Sequence, residues 1–175
     1  MNLETTNHLE NVRKAAANLD GVLRKTELIY SEFFSKETGN RIYIKPENLQ
    51  RTGSFKIRGA YNKVANLSEE ERAKGIIASS AGNHAQGVAL AASKMGIKST
   101  IVMPLVTPLI KVDSTKSYGA DVVLHGNIYD EAYAKAVELS NEYGYTFVHP
   151  YNDFDVMYGQ GTIALEILEE NPDID

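Results

Sequence analysis

Ile76-Ile-Ala-Ser-Ser-Ala-Gly-Asn-His-Ala-Gln-Gly87 is a short apolar run that breaks into small polar residues and then into a helical pattern. It opens a rhythm that decides the fold. Further apolar runs follow at Thr100–Met103, Val122–Leu124 and Thr146–Val148, and the four runs start 22 to 24 residues apart. A helix-like stretch fills each gap. In one of them Thr107 reads as the cap, Pro108 as the first helical position and Gly119 as the stop; in the next, Asp130–Glu142 ends at Gly144. Strand–helix–strand units at this spacing close by right-handed crossovers into a parallel sheet with helices on its faces. The segments share no side-chain pattern beyond strand and helix, which excludes a repeat array. The class is α/β.

Upstream, Asn7 and Glu10 have capping-box spacing before a helical stretch that runs to Gly21. Ser31 caps a short helix, Glu32 to Thr38, that stops at Gly39, and Arg41-Ile-Tyr-Ile-Lys45 alternates as a strand does. A polar loop from Pro46 to Gly53 leads to Ser54, the expected N-cap of a helix through about Leu67. Ser68 and Glu71 form a second capping box, closing at Gly75. Downstream of Pro150 lies a helix candidate, Asp155 to Glu170, and then Asn171-Pro172. In a doubly wound fold that Asn-Pro normally leads into another strand, so the expectation is a chain cut in mid-architecture.

Composition narrows the function classes. Of 175 residues, 43% are apolar and 23% charged, as in ordinary globular proteins. Eighteen basic against 23 acidic residues give a net charge of −5, which leaves no basic surplus for nucleic acid. The chain has no cysteine, so disulfides, thiolate metal sites and cysteine nucleophiles are excluded. No apolar run reaches the length of a membrane span and the first residues carry no secretory signal pattern, which makes the cytoplasm the default expectation. His8, His125 and His149 have no partner at metal-ligand spacing and read as structural; no metal site is expected.

Two segments could carry chemistry. Gly53-Ser-Phe-Lys-Ile-Arg-Gly59 puts Lys56 at a helix start, where the positive end of the helix dipole favours the neutral amine and apolar neighbours would desolvate it. A lysine of low pKa suits Schiff-base chemistry; the competing reading is a surface lysine in an amphipathic first turn. Ser79-Ser-Ala-Gly-Asn-His-Ala-Gln-Gly87 follows a strand, and its small residues and free N–H groups suit a carboxylate or phosphate. It matches neither the dinucleotide nor the P-loop fingerprint, and a tight turn without ligand reads as well. Gly159-Gln-Gly-Thr162 inside a helical pattern implies close packing, or the near approach of a loop or cofactor.

Together these segments resemble one family. Lys45-Pro-Glu-Asn-Leu-Gln-Arg-Thr-Gly-Ser-Phe-Lys-Ile-Arg-Gly-Ala60 is similar to the cofactor-lysine signature of the serine/threonine dehydratases, pyridoxal 5'-phosphate (PLP) enzymes of the tryptophan-synthase-β fold, fold type II. Ser79 to Gly87 resembles their substrate-carboxylate loop. Val148-His-Pro-Tyr-Asn-Asp153 and Gly159-Gln-Gly-Thr162 match further on. Within the family the pattern is most similar to the threonine dehydratases (threonine ammonia-lyases), across essentially the whole chain.

The resemblance implies that Lys56 forms the Schiff base and shuttles the α-proton, that Phe55 packs beside the cofactor ring, and that Asn83 hydrogen-bonds its phenolic oxygen. Backbone N–H groups of Ser80, Ala81, Gly82, Asn83 and His84 would hold the substrate carboxylate. The implied reaction is dehydration and deamination of L-threonine to 2-oxobutanoate and ammonia, with L-serine slower and giving pyruvate. It would serve isoleucine biosynthesis or threonine catabolism. The implied partners are a small amino acid, further copies of the chain in a homo-oligomer, and AMP as an effector in catabolic members. Ala81 departs from the related serine racemases, which carry a serine there, and favours elimination over racemisation. The family's glycine-rich phosphate loop has no counterpart up to Asp175. The expected layout is therefore the start of a large domain at 1–52, a small α/β domain at 53–150 and the resumption of the large domain at 151–175. By itself the chain is expected to be inactive. The rival readings are a non-catalytic fragment that keeps the lysine, and a serine racemase or other β-hydroxy amino acid dehydratase.

Overall fold

A computed structural model describes residues 7–175. Four parallel strands, β3 (Ile76–Ser79), β4 (Ser99–Met103), β5 (Asp121–Leu124) and β6 (Thr146–Phe147), stand in the order β5-β4-β3-β6. Every residue of β3 and β4 is buried, as central strands covered on both faces must be. Alternation divides them between two cores. Ile76, Ala78, Ile101 and Met103 face α5 (Asn83–Lys94) and α6 (Leu109–Ser117), whereas Ile77 and Val102 meet Ala132 and Ala136 of α7 (Tyr129–Tyr143).

The order carries a functional consequence. From β3 the chain steps outward through β4 to β5, then returns through α7 to place β6 on the other side of β3. Opposite directions of travel put the crossover helices on opposite faces and open a crevice between the carboxyl ends of β3 and β6. That switch point is where open α/β sheets bind ligands.

Outside this layer, α1 (His8–Leu19), α3 (Lys56–Ala65) and α8 (Phe154–Glu170) pack together, with α3 also lying on α5. Two close approaches hold α3. A Cβ on Gly87 of α5 would sit 3.1 Å from the Lys56 carbonyl carbon. A Cβ on Gly159 of α8 would sit 2.5 Å from the Arg58 carbonyl oxygen and 2.6 Å from the Gly59 Cα. Both obstacles at Gly159 are backbone, so Gly159→Ala must push the helices apart and should cost about 1–3 kcal/mol in urea unfolding. Gly161→Ala meets the Val12 side chain at 2.9 Å, which can rotate away, and should cost clearly less.

Local signals in the sequence map onto the structure with instructive shifts. Asn7 accepts from the Glu10 N–H, Ser31 caps α2 (Glu32–Thr38), and Ser68 with Glu71 forms the full capping box of α4 (Glu69–Lys74). The helix expected from Ser54 to Leu67 begins at Lys56 and ends at Ala65. Phe55 takes the cap position, and the Ser54 Oγ accepts instead from the Lys56 N–H at 3.3 Å. Thr107 is not a cap either. Its N–H turns back to the Pro104 carbonyl at 3.0 Å, which leaves Pro108 as the N-cap. The strand expected at Arg41–Lys45 shrinks to β2 (Tyr43–Ile44), paired antiparallel with β1 (Ile29–Tyr30), which the sequence did not announce. α8 starts one residue early because the Asp153 carboxylate caps the N–H groups of Asp155 and Val156.

Candidate active site

Lys56 opens α3 after an irregular approach. Thr52 holds φ at 63°, the left-handed region that β-branched residues avoid, and is alone among the described non-glycine residues in doing so. Such conformations cluster at functional sites. The Lys56 Nζ donates to the Pro150 carbonyl at 2.8 Å and stands 5.4 Å from the centre of the Phe55 ring. Burial pulls the lysine pKa below its ordinary value, and no carboxylate opposes it. Phe55 itself keeps 39% of its surface exposed, an aromatic face beside a deprotonation-prone amine.

The turn from β3 into α5 supplies the second half. Gly82 is the N-cap and offers no side-chain cap, so the first N–H groups of α5, at Asn83 and His84, are left without carbonyls. Two of the five N–H groups expected to bind carboxylate are otherwise engaged. The Ser80 N–H donates to the Val102 carbonyl at 3.2 Å as the sheet ladder continues, and the Gly82 N–H reaches the Ser80 Oγ at 3.2 Å. That leaves the Ala81, Asn83 and His84 amides of this turn without a hydrogen-bond partner among the described residues, and the Ser80 hydroxyl holding the Gly82 N–H.

Burial without hydrogen bonding marks the same place. Among the described residues, five buried side-chain atoms lack a partner: Thr52 Oγ1, Ser79 Oγ, His84 Nδ1, Thr107 Oγ1 and Gln160 Nε2. Thr52, Ser79 and His84 lie in the lysine loop and the β3–α5 turn. Unpaired buried polar atoms are costly, and three of the five fall on the lysine loop, the end of β3 and the start of α5. An aromatic ring, a desolvated amine, an uncapped helix start and unpaired polar atoms fit an aldehyde-bearing aromatic cofactor and a carboxylate substrate.

Other features are structural. The His149 Nδ1 accepts from the N–H groups of Tyr151 and Asn152, while His8 bonds Tyr158 and stacks on Phe154. A polar groove of about 580 Å3 lies two turns along α3 from Lys56, where Lys63 is already neutralised by Asp153 at 2.9 Å and Asp155 at 3.3 Å. No helix among the described residues is long and apolar enough to cross a membrane.

The profile of the family described as "Pyridoxal-phosphate dependent enzyme" matches residues 19–175. The chain belongs to that family. The pyridoxal-phosphate dependent enzymes similar to it include the L-threonine ammonia-lyase of Thermotoga maritima, 57% identical across 95% of this chain and 42% of the relative. The catabolic L-threonine dehydratase of Staphylococcus aureus is 52% identical across 93% of this chain and 47% of the relative. The chain thus spans less than half the length of these curated relatives. Among solved structures, the processed threonine deaminase isoform 2 of Solanum lycopersicum superposes with a TM-score of 0.90 at 44% identity, over 97% of this chain and 47% of that one. Maize serine racemase superposes with a TM-score of 0.91 at 35% identity, over 95% of this chain and 50% of that one. The fold is the fold type II arrangement expected from the sequence, and the family's cofactor is PLP.

Two site features were not legible from sequence. One is the Pro150 carbonyl that receives Lys56, 94 residues away. A signal existed: in a parallel sheet the carboxyl ends of β3 and β6 share one edge, so Val148–Pro150 had to end near Ser79–Gly82. The other is Arg58, fully buried two residues from Lys56, for which the sequence offers no pairing signal.

Proposed function

We propose that this chain carries the lysine and carboxylate-binding halves of a threonine ammonia-lyase, which removes water from L-threonine and releases 2-oxobutanoate and ammonia. The observation that supports this best is the desolvated Lys56 amine, hydrogen-bonded to the Pro150 carbonyl just past β6, beside β3 whose following turn leads into the uncapped start of α5. When bound, PLP supplies an electron sink that acidifies the substrate α-carbon.

The chain's own residues do the rest. Lys56 would hold the cofactor through its amine and would take the α-proton, with burial shifting the amine towards its neutral form. Phe55 offers its exposed ring face to the cofactor ring, and Asn83 is assigned the hydrogen bond to the cofactor's phenolic oxygen. Substrate carboxylate binds at Ser80, Ala81, Gly82, Asn83 and His84: through the amides of Ala81, Asn83 and His84, assisted by the Ser80 hydroxyl, with the N–H of Gly82 within the same turn. Loss of the α-proton and the β-hydroxyl leaves 2-aminobut-2-enoate, which tautomerises and takes up water to give the oxo acid and ammonia. In this reading residues 53–150 form the smaller of two domains, and 1–52 with 151–175 belong to the larger.

A second reading, racemisation of serine, is favoured by the superposition on maize serine racemase. Ala81 argues against it, since a methyl group cannot return a proton to the opposite face. Incubating a chain extended to the length of the curated relatives with PLP and either L-threonine or L-serine separates the readings; the 175 residues alone are expected to give little product. Oxo acid and ammonia in equal amounts are expected from both, faster from threonine. D-serine without oxo acid would reverse the assignment, and no product with either would leave a non-catalytic protein that keeps the lysine.

A further inference from the structure

Two carbonyls on one short stretch, Val148 to Pro150, receive side chains from two different helices. The His84 Nε2 of α5 lies 2.9 Å from the Val148 carbonyl, and the Lys56 Nζ of α3 lies 2.8 Å from the Pro150 carbonyl. We propose that the His84 imidazole is a positioning residue for Lys56, fixing through Val148 the segment that presents the Pro150 carbonyl to the lysine amine. The inference rests on the reading of Lys56 as the cofactor lysine.

A carbonyl can only accept, so the proton of His84 sits on Nε2 and Nδ1 is bare. His84 is 3% exposed, and Nδ1 has no partner among the described residues. A second proton would therefore bury a charge with an unanswered N–H. Burial pushes the imidazole pKa down to about 4; the Val148 carbonyl opposes this, while the positive charges of Lys56 and His149 reinforce it. The donor is thus constant across the range in which the lysine must work.

The rest of the segment is pinned to match. The Val148 N–H donates to the Ile77 carbonyl at 2.8 Å, so the sheet holds one side of that residue and His84 the other. Pro150 has a fixed φ. Immediately after it the N–H groups of Tyr151 and Asn152 turn back to the His149 Nδ1, at 3.3 and 2.8 Å. His84 supplies the only side-chain bond from α5 to this stretch among the described residues. Without it, Val148 would keep only its N–H bond to Ile77, and the Pro150 carbonyl would be fixed only by the Lys56 amine that it is meant to position.

The test uses the full chain and reads the lysine itself, not turnover. Trace acetylation across pH, followed by peptide mass spectrometry, gives the titration of Lys56, with exposed Lys94 as internal reference. In His84→Leu the Pro150 carbonyl drifts, the amine gains solvent, its midpoint rises, and labelling at a fixed pH below that midpoint falls about three- to tenfold. His84→Gln, whose amide can still donate to Val148, should stay within about twofold of the parent. An unchanged Lys56 profile in His84→Leu overturns the proposal. Should that variant not fold, nitrogen NMR of the parent decides. A neutral His84 with the proton on Nε2 and no titration from about pH 5.5 to 8.5 upholds the assignment, and a ring titrating near its ordinary value of about 6.5 refutes it. Mapping of the cofactor to another lysine would overturn the functional reading while leaving these results standing.

Discussion

In a chain extended to the length of the curated relatives, Lys56→Ala should lose PLP retention and at least about a thousandfold of activity while melting at or slightly above the parent temperature. On the proposed roles of Lys56, the substitution removes both the covalent tether and the base for the α-proton, the latter alone contributing about 10²–10⁴. Stability behaves oppositely because the Lys56 Nζ makes one hydrogen bond, to Pro150, and its charged form is disfavoured by burial. Removing a desolvated amine relieves more than it costs. The checks are visible absorbance after gel filtration with PLP, oxo-acid release, and a thermal melt. Retained absorbance and rate would remove Lys56 from the chemistry, whereas a large drop in melting temperature would make it a structural residue.

Arg58→Leu should have the largest effect on folding. Its guanidinium is fully buried and spends every N–H: on Glu47 at 2.8 and 2.8 Å, on Glu166 at 2.6 and 2.9 Å and on Thr162 at 3.0 Å. Lys45 extends the cluster, 2.9 Å from both Glu166 and Glu170. The network ties α3 to α8 and to the turn at Glu47–Leu49, directly behind the lysine. Leucine leaves the Glu47 and Glu166 carboxylates facing one another without their shared cation, a loss of about 3–5 kcal/mol in denaturant unfolding. Arg58→Lys keeps the charge but not the two-sided fork, and should fall between. The parent's pH dependence has a defined sign. Burial raises the Glu166 pKa, but hydrogen bonds and charge from Arg58 and Lys45 overcome it and hold the carboxyl below its ordinary 4.5. Its contribution is therefore complete above that value and lost as pH falls through the lowered one. A leucine variant within about 1 kcal/mol of the parent would show that the network is replaceable by packing.

Legibility followed the range of the interactions. The β3–β6 rhythm rests on spacings of 22 to 24 residues and the caps at Ser31, Ser68 and Asn7 on signals a few residues apart, and both read correctly. The start of α3 slipped by one residue because Ser54 can serve the Lys56 N–H without taking helical geometry next to it. β1 was missed since Ile29-Tyr30 is too short to show alternation and exists only through its pairing with Tyr43-Ile44. The partners of Lys56 and Arg58 lie 94 and up to 108 residues away, and only the closed topology brings them together. The resemblance to the dehydratases located Lys56 and the loop, but could not say that the Ser80 N–H is taken by Val102.

In the proposed function Lys56 is the residue to which the cofactor bonds. Reducing the full chain with borohydride in the presence of PLP, then mapping peptides by mass spectrometry, tests it without any assumption about substrate. The pyridoxyl group should appear on Lys56 at close to one per chain, with Lys45 and Lys63, both locked in ion pairs, unmodified. Label on a different lysine, or spread evenly over the exposed ones, would contradict the account.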